Sequence, residues 1–289
     1  MKRILFLILL VALSCDKEDR IVVGSKNFSE QVILAEMLVQ HIERTLNIPV
    51  ERKLNLGGSF ICHKALVSGE IDLYVEYTGT AYTAILKREV KSDPTAVLNE
   101  TRDAYKSQFD LLWTEPFGFN NTFAIIIRGE DARRLGLKTI SDAARHTPNW
   151  KAGFGYEFTE RKDGYPGLAE AYNLKFSEHP KVMDLMLTYR AVAEKQVDVI
   201  SGNSTDGTIA KLDLFVLDDD KRYFPPYEAA PVVRNATLKK FPKLLVTLNQ
   251  LAGKISEDDM RKMNYEVDGE HKDARQVALE FLQRLEKGK

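Results

Sequence analysis

The stretch EYTGT (76–80) follows the apolar run 71–75 and sets a ring beside two hydroxyls, Tyr77 with Thr78 and Thr80. Lys26 in VGSKNF and the block GNSTDG (202–207) follow other apolar runs in the same way. Rings, neutral donors and single cations are poor tools for catalysis but good tools for binding. A quaternary ammonium has no N–H to donate, so ring faces hold it by cation–π attraction, worth about 0.5–2 kcal/mol per ring. A carboxylate at the other end of such a ligand calls for Lys, Arg or hydroxyl donors. Taken alone, Tyr77 serves equally well as a packing residue. The catalytic alternatives are weak: there is no Walker loop, no GxGxxG and no GxSxG. His41, His63, His146, His179 and His271 are scattered without metal-ligand spacing. His41 lies near an apolar helix face and reads as a structural histidine, and Asp218 and Asp219 read as a solvated acidic turn. An enzyme would draw on Glu76, Asp206 or Ser204, none of which has a base beside a nucleophile by motif.

These residues need strands to present them. RIVVG (20–24), VERKLNL and IDLYV (71–75) read as strands. SEQVILAEMLVQHIERTLN reads as a helix with Leu34, Met37, Leu38 and Ile42 on one face and Asn27 or Ser29 as cap. GGSFICHKALVSGE is a turn entering a helix with Phe60, Leu66 and Val67 on its face. This βαβαβ order implies a mostly parallel sheet covered by helices. The pattern returns with FAIIIR (123–128), TISDAARH, KAGFG, YPGLAEAYN, KVMDLMLTYRAVAEKQ as one longer helix, VDVIS and LFVLDD. After RYFPPYEAAPVV the chain is helical apart from turns. Two α/β units and a helical tail predict two lobes, with a ligand cleft outside the C-terminal ends of the strands.

The 289 residues, 44% of them hydrophobic and 29% charged, have the composition of an ordinary globular chain with one large or two medium cores. Lys+Arg 41 against Asp+Glu 42 gives a net charge of −1, which argues against a nucleic-acid partner. The start, MKRILFLILLVALSC, has two basic residues before an apolar run too short to span a bilayer, and it reads as a signal peptide (1–15). ALSC followed by DKEDR resembles a bacterial lipobox with Ala12 where Leu is usual. Cys15 is then the lipid-attachment residue, and Asp16 after it resembles an inner-membrane retention signal. Cys62 is left without a disulfide partner and reads as a buried small hydrophobe.

Six blocks in order carry a resemblance: VGSKNFSEQVILAEML (23–38), NLGGSFICHKALVSGEIDLYVEYTGT (55–80), FGFNNTFAI (117–125), ERKDGYPGLAEAY (160–172), QVDVISGNSTDGTI (196–209) and FPPYEAAPVVR (224–234). Together they resemble the solute-binding proteins of ABC importers for glycine betaine, choline, carnitine and related osmoprotectants. The resemblance implies an α/β, two-lobed type II periplasmic-binding-protein fold. It places 21–124 plus 226–289 in the first lobe and 125–225 in the second, with a hinge near 123–127 and 224–230. It also implies a monomer without cofactor, lipid-anchored in the periplasm or on the outer face of the cytoplasmic membrane. The implied partners are a quaternary ammonium ligand, an ABC permease and its ATPase.

Family members trap the ammonium in a cage of four tyrosines, and by resemblance those positions are Tyr77, Phe123, Asn203 and Tyr227 here. The carboxylate partners carry over to Lys26, Thr80 and Arg161, with Gln31 a further polar contact. Phe123 keeps a ring face and loses a hydroxyl. Asn203 removes a wall, worth about a factor of ten in affinity, and supplies an amide instead. A missing ring could come from Tyr156 or Phe158. Alternatively the specificity is shifted toward a ligand with extra polar groups, such as carnitine, choline or ergothioneine. A ligand sensor is a further alternative to an importer subunit.

Overall fold

In the computed structural model, residues 20–287 are described. The leader with Cys15 lies outside them. Two mixed five-stranded sheets form the two lobes. The first contains β1 (Ile21–Lys26), β2 (Val50–Gly57), β3 (Leu73–Tyr77) and β4 (Leu111–Trp113). The second contains β5 (Phe123–Arg128), β6 (Ala152–Gly155), β7 (Lys181–Met183), β8 (Val199–Asn203) and β9 (Leu214–Leu217). The chain then returns, and β10 (Ala229–Arg234) completes the first sheet in the order β2-β1-β3-β10-β4. The second sheet runs β7-β6-β8-β5-β9. β1 is parallel to β2 and β3, as the βαβαβ reading expects, while β10 runs antiparallel between β3 and β4. In the second sheet β6 is parallel to β7 and β8, and β5 is antiparallel to β8 and β9.

The two crossings lie side by side: Asn120 and Glu228 form an antiparallel bridge, and the Asn121 amide donates to the Tyr227 carbonyl at 3.0 Å. The expected lobe boundary at 124/125 falls inside β5, which hydrogen-bonds wholly within the second sheet.

Helix α1 (Ser29–Leu46) is the spine of the first lobe. Its apolar residues recur at helical spacing, and Ile33, Leu34, Met37, Leu38 and Ile42 are all 0% exposed. Fully burying each is worth about 1.5–3 kcal/mol. They face the last helix, Ala274–Lys287, through Val277, Ala278, Phe281 and Leu282. Neither expected cap acts on α1. Phe28 is the N-cap, and Ser29 is already helical, its hydroxyl turned to Asp268. Helix α2 (Ser59–Ser68) ends at Gly69, whose φ of +83° suits glycine. Its buried face is Ser59, Cys62, Ala65 and Leu66, so Phe60 and Val67 are exposed, against expectation. The three- and four-residue spacing selects the small residues for the sheet and turns the larger ones outward. Cys62 is the buried small residue expected, its thiol pushed up to about 12 by burial. His41 Nε2 donates to the Thr247 carbonyl at 3.0 Å, a structural role.

Three further departures concern β4, the second lobe and the return. The run read as one helix from 181 begins as edge strand β7, and helix α3 (Leu185–Ala193) starts after Asp184, whose side chain caps it. β4 and β10 are strands that the sequence reading did not assign. Asp219 is not merely solvated: it accepts from the Tyr172 hydroxyl and from the amides of Tyr223 and Phe224.

Candidate functional site

The carboxyl ends of β1, β3, β6 and β8 converge on a cavity of about 700 Å³ between the lobes. Its lining includes Lys26, Tyr77, Thr80, Phe123, Arg161, Asn203 and Tyr227, seven of the eight expected site residues. Gln31 is absent from the lining. It is fully buried on α1 and lies beside Tyr77.

Tyr77 ends β3, and its hydroxyl donates to Glu30 Oε1 at 2.6 Å. Glu30, in the first turn of α1, is 2% exposed and accepts three more bonds. They come from Asn121 Nδ2 at 2.8 Å, Thr205 Oγ1 at 2.5 Å and Asn264 Nδ2 at 2.9 Å. Burial raises the Glu30 pKa, and these four donors oppose that rise. Thr205 comes from the loop after β8, so this carboxylate ties the second lobe to the first. Thr78 and Thr80 form a short helical turn that widens into a π-turn over Ala81–Ile85, a backbone form common at functional sites.

Neither expected cation is free. Lys26 Nζ pairs with the buried Glu76 at 2.5 Å and stands 4.8 Å from the Tyr77 ring centroid. Glu76 also accepts from the Tyr74 hydroxyl at 3.0 Å. Arg161 is 5% exposed and forks onto Asp163, Nε to Oδ1 at 2.9 Å and Nη2 to Oδ2 at 2.5 Å. Burial opposes the charge on Arg161, and Asp163 outweighs it, raising the pKa; Asp163 in turn is held below its ordinary value. Arg161 Nη1 donates to Thr80 Oγ1 at 3.2 Å, and its guanidinium lies 4.8 Å from the Phe123 ring centroid. Tyr227 donates to Asp163 Oδ2 at 2.6 Å.

The rings cluster. Phe123 meets Tyr227 edge-on at 5.6 Å and Phe158 at 4.9 Å. Phe158 is buried and Tyr156 is 67% exposed, and both line the cavity. Glu157 spans the mouth: the Ser59 amide donates to its Oε1 at 2.6 Å, and Ser59 Oγ to its Oε2 at 3.1 Å. A Cβ at Gly58 would sit 2.2 Å from Oε1 of that carboxylate, so the Glu157 side chain would have to shift to admit one. Phe60, Ile61, Val182 and Met186 form an exposed apolar rim.

Asp163, Glu30, Ser201, Asp206 and Glu157 were not among the expected site residues. Asp163 follows Arg161 by two positions in RKDG, and that spacing was the available signal. Glu30 carried none, since an acid in a first helical turn is ordinary.

Among the described residues no group of His, Cys, Asp and Glu could hold a metal ion, and no helix is long and apolar enough to cross a membrane.

Residues 19–284 match the family model OpuAC, the substrate-binding domain of the ABC-type glycine betaine transport system. The chain is 38% identical over 287 residues to the ergothioneine transport permease/ergothioneine binding protein EgtU of Helicobacter pylori (strain G27), covering 97% of this chain. It spans about half of that relative, 51% of its length. It is 36% identical to the carnitine transport binding protein OpuCC of Listeria monocytogenes, covering 95% of this chain and 90% of that protein. A crystal structure of a glycine betaine/carnitine/choline ABC transporter aligns with a TM-score of 0.76 at 37% identity, over 91% of this chain and 98% of that one. With that coverage, the chain belongs to the family of substrate-binding domains of ABC-type glycine betaine transport systems.

Proposed function

We propose that this chain captures a quaternary ammonium compound in the interlobe cavity and delivers it to an ABC permease driven by an ATPase. The observation that carries the reading is the set of rings from both lobes, Tyr77, Phe123, Phe158 and Tyr227, converging with Arg161 on one cavity. Ring faces hold an ammonium that can donate no hydrogen bond. Arg161 uses one nitrogen on Thr80 across the cleft and two on Asp163, and it retains N–H groups for a ligand carboxylate.

Closure is part of the mechanism. Thr80, Ser59 and Glu30 of the first lobe meet Arg161, Glu157 and Thr205 of the second, and these contacts exist only with the lobes together. A ligand touching both sides selects that state. The flanking crossings at 117–122 and 224–228 serve as the hinge. Lipid attachment at Cys15 keeps the receptor beside its permease at the outer face of the cytoplasmic membrane.

Isothermal titration calorimetry of the mature chain tests this. Heat is expected with at least one of glycine betaine, proline betaine, choline, carnitine and ergothioneine. Silence across all five overturns the reading.

A further inference from the structure

The cleft face of β8 differs from the aromatic walls around it. Ser201 and Asn203 are two residues apart on one strand and so share a face, and both line the cavity. Gly202 between them faces the other way, where an added side chain would meet the Tyr189 hydroxyl at 2.0 Å.

Asp206 fixes which end of the Asn203 amide meets the cavity. Its Oδ2 accepts from the Asn203 backbone N–H at 2.9 Å and from Asn203 Nδ2 at 3.3 Å. The same oxygen accepts from the Tyr189 hydroxyl, a side chain 2% exposed on α3. A carboxylate oxygen facing an amide requires the NH₂ end, because the carbonyl end would repel it. Asn203 Oδ1 is therefore turned away from Asp206 and has no hydrogen-bond partner among the described residues. Ser201 Oγ, on a residue 1% exposed, is likewise buried without a partner. One wall of the site carries two polar groups, the buried, unpartnered Ser201 Oγ and the Asn203 amide oxygen, an obligate acceptor.

We infer that Asn203 Oδ1, oriented by Asp206 and flanked by Ser201 Oγ, selects quaternary ammonium ligands that also carry an O–H or N–H donor, and disfavours glycine betaine, which carries none. Asn203 and Ser201 touch the ligand, and Asp206 is a positioning residue. This rests on the quaternary ammonium reading above and names the class of ligand within it. The reason for discrimination is asymmetry. A ligand without the donor drives water from Oδ1 and leaves that acceptor unpaired, and sites built to hydrogen-bond a ligand group reject analogues lacking it strongly.

The test uses ligand pairs that differ only in the donor: L-carnitine against γ-butyrobetaine, choline against its O-methyl ether, and ergothioneine against its ring-N-methylated form. By calorimetry, at least one pair is expected to show a gap of about tenfold or more in Kd in favour of the donor-bearing member. That gap collapses in Asn203→Ala and shrinks in Asp206→Asn, whose own amide can donate to Asn203 and turn it. Both variants are first checked for an unchanged far-UV spectrum and a cooperative melt. A merely structural role for Asp206 would weaken both members equally and leave the gap intact. Equal affinities within every pair, or a gap that survives Asn203→Ala, overturn the inference and leave the quaternary ammonium reading standing. No binding by any member overturns the inference, and silence with glycine betaine and proline betaine as well overturns both.

Discussion

The two lobes furnish the cleft by different means. In the first, the site residues stand on neighbouring strands of one sheet: Lys26 ends β1, Tyr77 ends β3, and Glu76 between them neutralises the lysine. In the second, each site residue is held by an acid close in sequence, Arg161 by Asp163 and Asn203 by Asp206. The first arrangement is fixed by the sheet register and the α1 core. The second is built in loops and completed across the cleft, by Thr80 and Tyr227 on one side and by Glu30 on the other. On the proposed function the first lobe is a preset platform, and the second is a clamp whose geometry depends on the first. Substitutions in the platform should loosen what is already in place, while substitutions in the clamp should abolish closure.

The clamp residue with the largest expected effect is Arg161. Arg161→Ala leaves Asp163 at the cleft with no cation, and breaking one partner of a buried pair costs about 3–5 kcal/mol. Affinity for the responding ligand should fall by about 100-fold or more. The double variant Arg161→Ala/Asp163→Ala separates the two effects. It should recover much of the stability in urea unfolding, because no charge is stranded, and none of the affinity. If the double variant binds like the parent, Arg161 is a structural partner of Asp163 and not part of the clamp.

The platform was the more legible half. Alternating short apolar runs and 3.6-residue spacing are enough to read β1, α1, β2, α2 and β3, because each buries a continuous face. Strand ends then mark the cleft, and the family resemblance supplies the residues, seven of which line it. Shorter or irregular elements gave less signal. A three-residue strand such as β4 is too short to show alternation, and Pro231 inside β10 argues against a strand by its missing N–H. β7 was hidden because Val182 and Met183 continue the apolar run of α3. Pairing was illegible for another reason. Lys26 and Glu76 are 50 positions apart, and nothing local in either residue reveals the partner. The three rings engaged by Lys26 and Arg161 follow from the same long-range geometry.

Glu30 is where platform and clamp meet, and Glu30→Gln should have the next largest effect. Tyr77 and Asn121 share one of its oxygens, and Thr205 and Asn264 the other. A glutamine replaces one oxygen with an NH₂ group. The hydroxyls of Tyr77 or Thr205 can rotate to accept, but an asparagine amide facing it must turn over or lose its bond. The expected loss is about 1–3 kcal/mol of stability, together with a lower affinity, because Thr205 no longer anchors the second lobe. Urea unfolding and calorimetry on the same sample check both. A stability loss with unchanged affinity would mean that the clamp does not depend on this joint.

The smallest expected effect separates the two carboxylates by pH. Burial pushes Asp206 up to about 7, against the bonds from Tyr189 and Asn203. Glu30 from α1 and Asp268 from the helix Glu257–Asp268 face it and add to the rise. Burial raises the pKa of Asp268 in turn, and Ser29, His271 and Lys211 oppose that rise. A carboxyl whose folded pKa lies above its unfolded value of about 4 binds a proton in the native state that the unfolded chain releases. Its contribution to stability is therefore fully present below pH 4 and is lost as pH rises through 7. Asp206→Asn removes that contribution. Between pH 5 and pH 8 the Tm of the parent should fall by several degrees more than that of the variant. The same titration must appear in ligand choice. Protonated Asp206 can donate as well as accept and no longer fixes the Asn203 amide, so the carnitine to γ-butyrobetaine gap should widen from pH 5 to pH 8. Parallel Tm profiles for parent and variant would place the Asp206 proton outside this pH range, and a gap independent of pH would uncouple that proton from the clamp.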